Sequence, residues 1–128
     1  MNQSSRSKGV VLVVEDDPIV AMVAVDTIQD AGFETIEAPD ADTAIAILEA
    51  RKDIRIVLTD IHMPGSMDGL RLARAIRDRW PPIELILTSG LINVLDRDLP
   101  ERAIFLPKPY LPHALTDALS RFVDRLPG

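Results

Sequence analysis

The sequence predicts an α/β protein built on an open, doubly wound parallel sheet, and three observations point there. Short aliphatic and β-branched runs alternate with longer segments of helical period, and five such pairs fit within 128 residues. Two of the runs, "VVLVV" at 10–14 and "IRIVLT" at 54–59, are almost continuously apolar, as strands covered by helices on both faces must be. A chain of this length has room for one substantial core and little more.

Taken in order, residues 1–9, "MNQSSRSKG", are small, polar and aperiodic, and are expected to form a mobile tail ahead of a globular unit at 10–126. The first strand is 10–14. Pro18 then suits a first helical turn. Val20, Val23, Ala24, Thr27, Ile28 and Ala31 follow at helical spacing, and Gly32 supplies the stop. "FETIE" at 33–37 alternates strictly, so one face is polar and the strand belongs at an edge. Ala41, Ala44, Ile45 and Leu48 give a second helical stripe. The third strand is 54–59, and the third stripe is Gly69, Leu72, Ala73, Ile76 and Trp80, with Asp68 as N-cap and Pro81-Pro82 as terminator. "IELIL" at 83–87 and "AIFL" at 103–106 read as strands. Between them "LINVLDRDLPE" at 91–101 offers about two turns of helix before Pro100 breaks it. Leu111, Leu115, Ala118, Leu119, Phe122 and Leu126 form the last stripe. Trp80 and the methionines read as core or cover. Right-handed crossovers joining five parallel strands give the order 2-1-3-4-5, with a binding crevice beyond the carboxyl ends of the strands.

Composition narrows the function. The apolar share of 47%, the charged share of 27% and the absence of cysteine describe an ordinary globular chain without disulfides or thiolate chemistry. The net charge of −6, with the signs mixed along the chain, argues against nucleic acid or anionic lipid as the main partner. Neither a secretory signal nor an apolar run near about 18 residues is present, which points to the cytoplasm.

The first residues past each strand carry the chemistry: Glu15 and Asp16 after strand 1, Asp60 after strand 3, Thr88 after strand 4 and Lys108 after strand 5. Three carboxylates roughly 4 to 6 Å apart repel pairwise by about 1 kcal/mol in water and about 4 at an effective dielectric near 20. Either one carboxyl holds a proton or a divalent cation occupies the gap, and an all-oxygen site with room for waters suits Mg²⁺. Such a site also suits phosphoryl transfer. Asp60 would be the nucleophile, with Lys108 and Thr88 holding the product.

The motifs "VVEDDP", "LTDIHMPGSMDGL", "LILTSG" and "FLPKPY", in this order, give residues 9–126 a strong resemblance to the receiver (response regulator) domain of two-component signalling, a flavodoxin-like (βα)5 fold. The resemblance implies that Asp60 is phosphorylated and that Asp16 and Asp60 bind Mg²⁺ through their side chains. It further implies that His62 binds the ion through its backbone carbonyl and Glu15 through water. Thr88 becomes the switch hydroxyl, Phe105 its aromatic partner and Lys108 the phosphoryl ligand, with a cis bond before Pro109. Asp17 instead caps the first helix. The implied partners are a histidine kinase or histidine phosphotransfer protein and a further protein that reads the fourth helix, fifth strand and last helix. The expected protein is a single-domain signalling receiver, since nothing follows the last helix except "LPG"; it acts only on its own phosphorylation and is a monomer or a weak phosphorylation-dependent dimer. "MPGSMDG" carries one residue more than the commonest family form, at Gly65-Ser66, and His62 and Gly90 occupy positions that influence phosphoryl lifetime in the family.

Other readings stand beside this one. The acidic run could simply favour a helix N-terminus, Lys108 could be an exposed loop lysine, Thr88 and Ser89 could end a strand through local hydrogen bonds, and Phe105 could be packing. An aspartate-nucleophile phosphohydrolase would need a second acid where His62 stands. A receiver used as an unphosphorylated scaffold would normally lack one or more of the acids or the lysine, all of which this chain keeps, and a flavin site would need a phosphate-cradling loop that the first turn lacks. His62 and His113 fit no zinc spacing.

Overall fold

The structure, a computed structural model, describes residues 7–62, 68–90 and 99–123. Within these residues the elements run β1 (Val10–Val14), α1 (Pro18–Asp30), β2 (Glu34–Ala38), α2 (Ala41–Ala50), β3 (Ile54–Asp60), α3 (Gly69–Arg79), β4 (Glu84–Ser89), β5 (Ala103–Pro107) and α4 (Pro112–Val123). The strands form one parallel sheet in the order β2-β1-β3-β4-β5, as the sequence predicts. Most strand boundaries move by one or two residues. The significant shift is in β3, which runs on to include Asp60 and so fixes that residue's backbone in the ladder beside Thr88.

Alternation along the buried strands divides the core in two. Leu12, Val14, Val57, Leu85 and Leu87 face α2 and α3, where Ala44, Leu48, Leu72 and Ile76 meet them. Val11, Val13, Ile56, Leu58 and Ile86 face α1 and α4, against Ala24, Ile28, Leu115 and Phe122. Each of the first three helices starts on an aspartate cap. Asp17 accepts from the N–H groups of Ile19 and Val20, Asp40 from Thr43 and Asp68 from Arg71. The Thr43 N–H holds the Asp40 carboxyl below its usual range. Gly32, at φ +100°, takes the left-handed conformation that ends α1. The backbone of residues 8 and 9 runs beside the start of β2, with Lys8 N–H donating to Gly32 and Gly9 accepting from Glu34.

Two helical stripes differ from expectation. The first two turns of α1, "PIVAMVAV", are apolar all round, so periodicity alone does not choose the buried face. The structure buries Ala21, Ala24 and Ile28, and turns Ile19, Met22 and Val23 outward, with Met22 57% exposed. Small alanines let α1 approach α4 and the sheet closely, which leaves the bulkier side chains on the outside. Met22 is therefore neither core nor cover. Leu111, expected to open the last stripe, lies ahead of α4 and is 64% exposed. Residues 91–98 of the fourth expected helix, the Gly65-Ser66 loop and Leu126 lie outside the described residues. Among the described residues no helix is long and apolar enough to cross a membrane.

The two phases of α1 are separable by stability. Ile28→Ala should cost about 2 to 5 kcal/mol and lower the urea midpoint, whereas Val23→Ala should stay within about 0.5 kcal/mol of the wild type.

Candidate functional site

Four strand ends deliver the polar residues to one pocket above the carboxyl edge of the sheet. Glu15 leaves β1 with its N–H held by the Ala38 carbonyl at 3.0 Å. Its Oε2 accepts from the Asp17 N–H at 3.1 Å, so the acidic turn is tied down by its own backbone. Asp60 closes β3, and its Oδ1 accepts from the His62 N–H at 3.0 Å. Lys108 follows β5, with its N–H on the Ser89 carbonyl at 2.8 Å and a cis peptide before Pro109. Its Nζ lies 2.7 Å from Asp60 Oδ2 and 3.1 Å from Glu15 Oε1.

Burial gives these contacts their weight. The side chains of Glu15 and Asp60 are only 7% and 11% exposed, so the ion pairs are shielded far more than surface pairs are. Burial pushes the Glu15 carboxyl above its usual range, and Asp60 adds to the rise. The Asp17 N–H and Lys108 offset only part of it. Burial also opposes the charge on Lys108, but the hydrogen bonds to Asp60 and Glu15 outweigh it and raise its pKa. One oxygen each of Glu15, Asp16 and Asp60 lie within 4.8 Å of one another. This donor set is hard and all-oxygen, with no imidazole side chain in it, and it fits Mg²⁺ better than a transition metal.

The structure thus brings Glu15, Asp16, Asp60 and Lys108 together. Thr88 lies beside Asp60 in the ladder and is 2% exposed, and its carbonyl accepts from the Ile61 N–H at 2.8 Å. Phe105 pairs in register with Leu87 and packs half-buried on the α2–α3 side of the core. The His62 side chain is exposed, and only its backbone N–H reaches Asp60. Asp17 turns away to cap α1.

Two residues near the site went unread in the sequence. Gly69 reads there only as a stripe position, yet a Cβ built on it would lie 1.8 Å from the Asp60 carbonyl oxygen. The start of α3 packs directly on the backbone of Asp60, and only glycine permits that approach. Tyr110 lies half-buried close enough to feel the charges of Lys108, Glu15 and Asp60, and burial raises its pKa. "MDG" signals the first. Nothing in the sequence signals the second.

A doubly wound parallel sheet with carboxylates and a lysine gathered at the switch in strand order defines an α/β module whose polar crevice lies at the carboxyl ends of its strands. The model of the response regulator receiver domain family matches residues 11–120, and the chain belongs to that family. It is 34% identical over 122 residues to the response regulator protein FleR of Pseudomonas aeruginosa, covering 92% of this chain and 25% of that protein. It is 32% identical to the hydrogenase transcriptional regulatory protein HoxA of Cupriavidus necator, covering 94% of this chain and again 25% of the relative. The chain therefore spans about a quarter of the length of these relatives. A crystal structure of a response regulator receiver protein from Sinorhizobium medicae superposes with a TM-score of 0.84 at 26% identity, covering 91% of this chain and 94% of that one.

Gly69→Ala should force the start of α3 off β3, lowering stability by about 1 to 3 kcal/mol in urea unfolding. The Glu15 effect has a defined sign. Its folded-state pKa is raised, so its favourable contribution is complete below the unfolded value of about 4.5 and is lost as pH rises through the folded value. Without divalent cations, Glu15→Gln should therefore be more stable than wild type at neutral pH, with the gap closing toward pH 4.5. Millimolar Mg²⁺ should narrow or invert the neutral-pH gap by stabilising the wild type.

Proposed function

We propose that this chain is a phosphorylation-dependent signalling receiver in which Asp60 accepts a phosphoryl group from a histidine kinase or histidine phosphotransfer protein, with Mg²⁺ as cofactor and residues 10–126 as the receiver unit. The observation that carries this reading is the Lys108 ammonium, held within 3.1 Å of both Asp60 and Glu15. An Asp60 carboxylate oxygen attacks phosphorus, the P–N bond to the donor imidazole breaks, and its electron pair returns to that nitrogen. An acyl phosphate on Asp60 results.

Lys108 already sits against the attacking carboxylate, so its charge is available to the phosphoryl oxygens without reorganising the pocket. Asp16 and Asp60 would hold Mg²⁺ through carboxylate oxygens, His62 through its carbonyl and Glu15 through water. The bound ion supplies positive charge against the oxygens of the transferring group. The Thr88 hydroxyl, on the strand beside Asp60, would take a third oxygen.

Phosphorylation adds roughly −1.5 to −2 of charge at Asp60. Thr88 moves toward it, Phe105 fills the vacated space, and the face made by β5 and α4 changes its preferred arrangement for a protein partner. Position supports this part of the reading, since Thr88 and Phe105 lie on the adjacent strands β4 and β5. The chain's only catalytic role is in forming and hydrolysing its own acyl phosphate.

Incubation with acetyl phosphate and Mg²⁺ should add one phosphoryl mass, read by intact-protein mass spectrometry. Asp60→Asn or excess EDTA should abolish it. A wild-type chain that gains no mass under these conditions, or an Asp60→Asn variant that still does, would refute the assignment. Lys108→Ala should slow phosphorylation at least about tenfold, by loss of more than about 1.4 kcal/mol of transition-state stabilisation.

A further inference from the structure

At the pole opposite Asp60, a cleft of about 750 Å³ opens between the end of α2, the start of β3, the end of α3 and the start of β4. Arg51, Lys52, Arg55, Arg79 and Arg102 line it, five of the chain's fourteen basic residues, against only Glu49 and Glu84 of its twenty acidic ones. Arg51 is paired with Asp53 at 2.6 Å and Arg79 with Glu49 at 2.8 Å. Lys52 and Arg55 make no salt bridge among the described residues. In a chain of net charge −6, Lys52 and Arg55 give this cleft positive charge that an anion could meet.

The wall of the cleft is built rather than loose. Arg77 reaches up from α3 and donates to the carbonyls of Pro81 at 2.7 Å and Ile83 at 2.8 Å, and the Arg102 guanidinium also donates to Pro81. Both residues therefore brace the Pro81-Pro82 turn. Trp80 lines the cleft, half-buried against the core, with the Arg79 guanidinium 4.4 Å from its ring centroid. That pair offers aromatic and planar cationic surface beside the free charges.

We propose that this cleft binds a small phosphorylated anion carrying a flat ring, the chemistry of a nucleotide. The volume falls within the range of about 300 to 1,000 Å³ of small-ligand sites. Guanidinium forks match phosphate oxygens two at a time, and the Arg79 guanidinium, lying over the Trp80 ring, presents a planar cationic face on which a base stacks. The site lies at the opposite end of the strands from Asp60 and does not depend on phosphorylation there.

Trp80 is the only tryptophan, so its fluorescence reports on the cleft directly. The full chain is titrated with ADP and separately with inorganic pyrophosphate, in EDTA to exclude metal-bridged binding at the acidic pocket, and calorimetry provides a second readout. Both probes should produce saturable binding with a Kd of about 1 mM or tighter. ADP should bind at least about fivefold more tightly, because a stacked base adds at least that much. Lys52→Glu combined with Arg55→Glu, both at exposed positions, should leave the fold intact and weaken both probes at least about tenfold. Asp60→Asn should leave both unchanged. The proposal is overturned by no saturable response to either probe, by equal affinity for ADP and pyrophosphate, by undiminished binding to the double variant, or by binding of a polyglutamate peptide and of neither phosphate probe.

Discussion

The Lys108 ammonium bridges Asp60 and Glu15, residues separated from it by 48 and 93 positions in the chain. No local element could hold these groups together; the strand order does it. β1 and β3 are neighbours at the centre of the sheet, so their terminal carboxylates lie side by side. β5 follows β4 at the edge, and from its end a long lysine side chain reaches both acids. The sheet fixes the backbone positions, and the lysine fixes the charge.

The arrangement works against stability at one point. Burial raises the pKa of Glu15, so its ionised form is less favourable in the folded chain than in water. A sequence optimised for stability alone would not retain two buried carboxylates and a third within reach. Functional sites are where such local conflicts are expected. Here the conflict is relieved in part by Lys108 and is suited to further relief by a divalent cation. At the opposite pole the imbalance has the other sign, with guanidiniums gathered around Trp80 and the Pro81-Pro82 turn.

Much of this was legible in the sequence, because the relevant signals are local and periodic. Continuous apolar runs gave the central strands, the alternation of "FETIE" gave the edge strand, and Asp17 and Asp68 were recognisable as caps from their place ahead of helical periods. The pocket was legible because strand ends in a doubly wound sheet converge by topology. Periodicity failed where it lacks contrast, in the first turns of α1, where nearly every residue is apolar and only packing selects Ala21 and Ala24 over Val23. Leu111 misled for a related reason, since apolar spacing continued past the helix start. Gly69 was marked only by the short "MDG", because close backbone approach leaves no side-chain pattern, and the basic cleft was hidden because its residues come from three separate segments, 48–55, 79–84 and Arg102.

The most direct test is a crystal structure of the chain with Mg²⁺ and beryllofluoride, a mimic of the aspartyl phosphate. Beryllium should sit on an Asp60 carboxylate oxygen, with Lys108 Nζ hydrogen-bonded to a fluoride and the metal ion held by Asp16 and Asp60. A structure in which beryllofluoride and Mg²⁺ leave this pocket empty, or in which Lys108 takes no part in binding them, would contradict this arrangement.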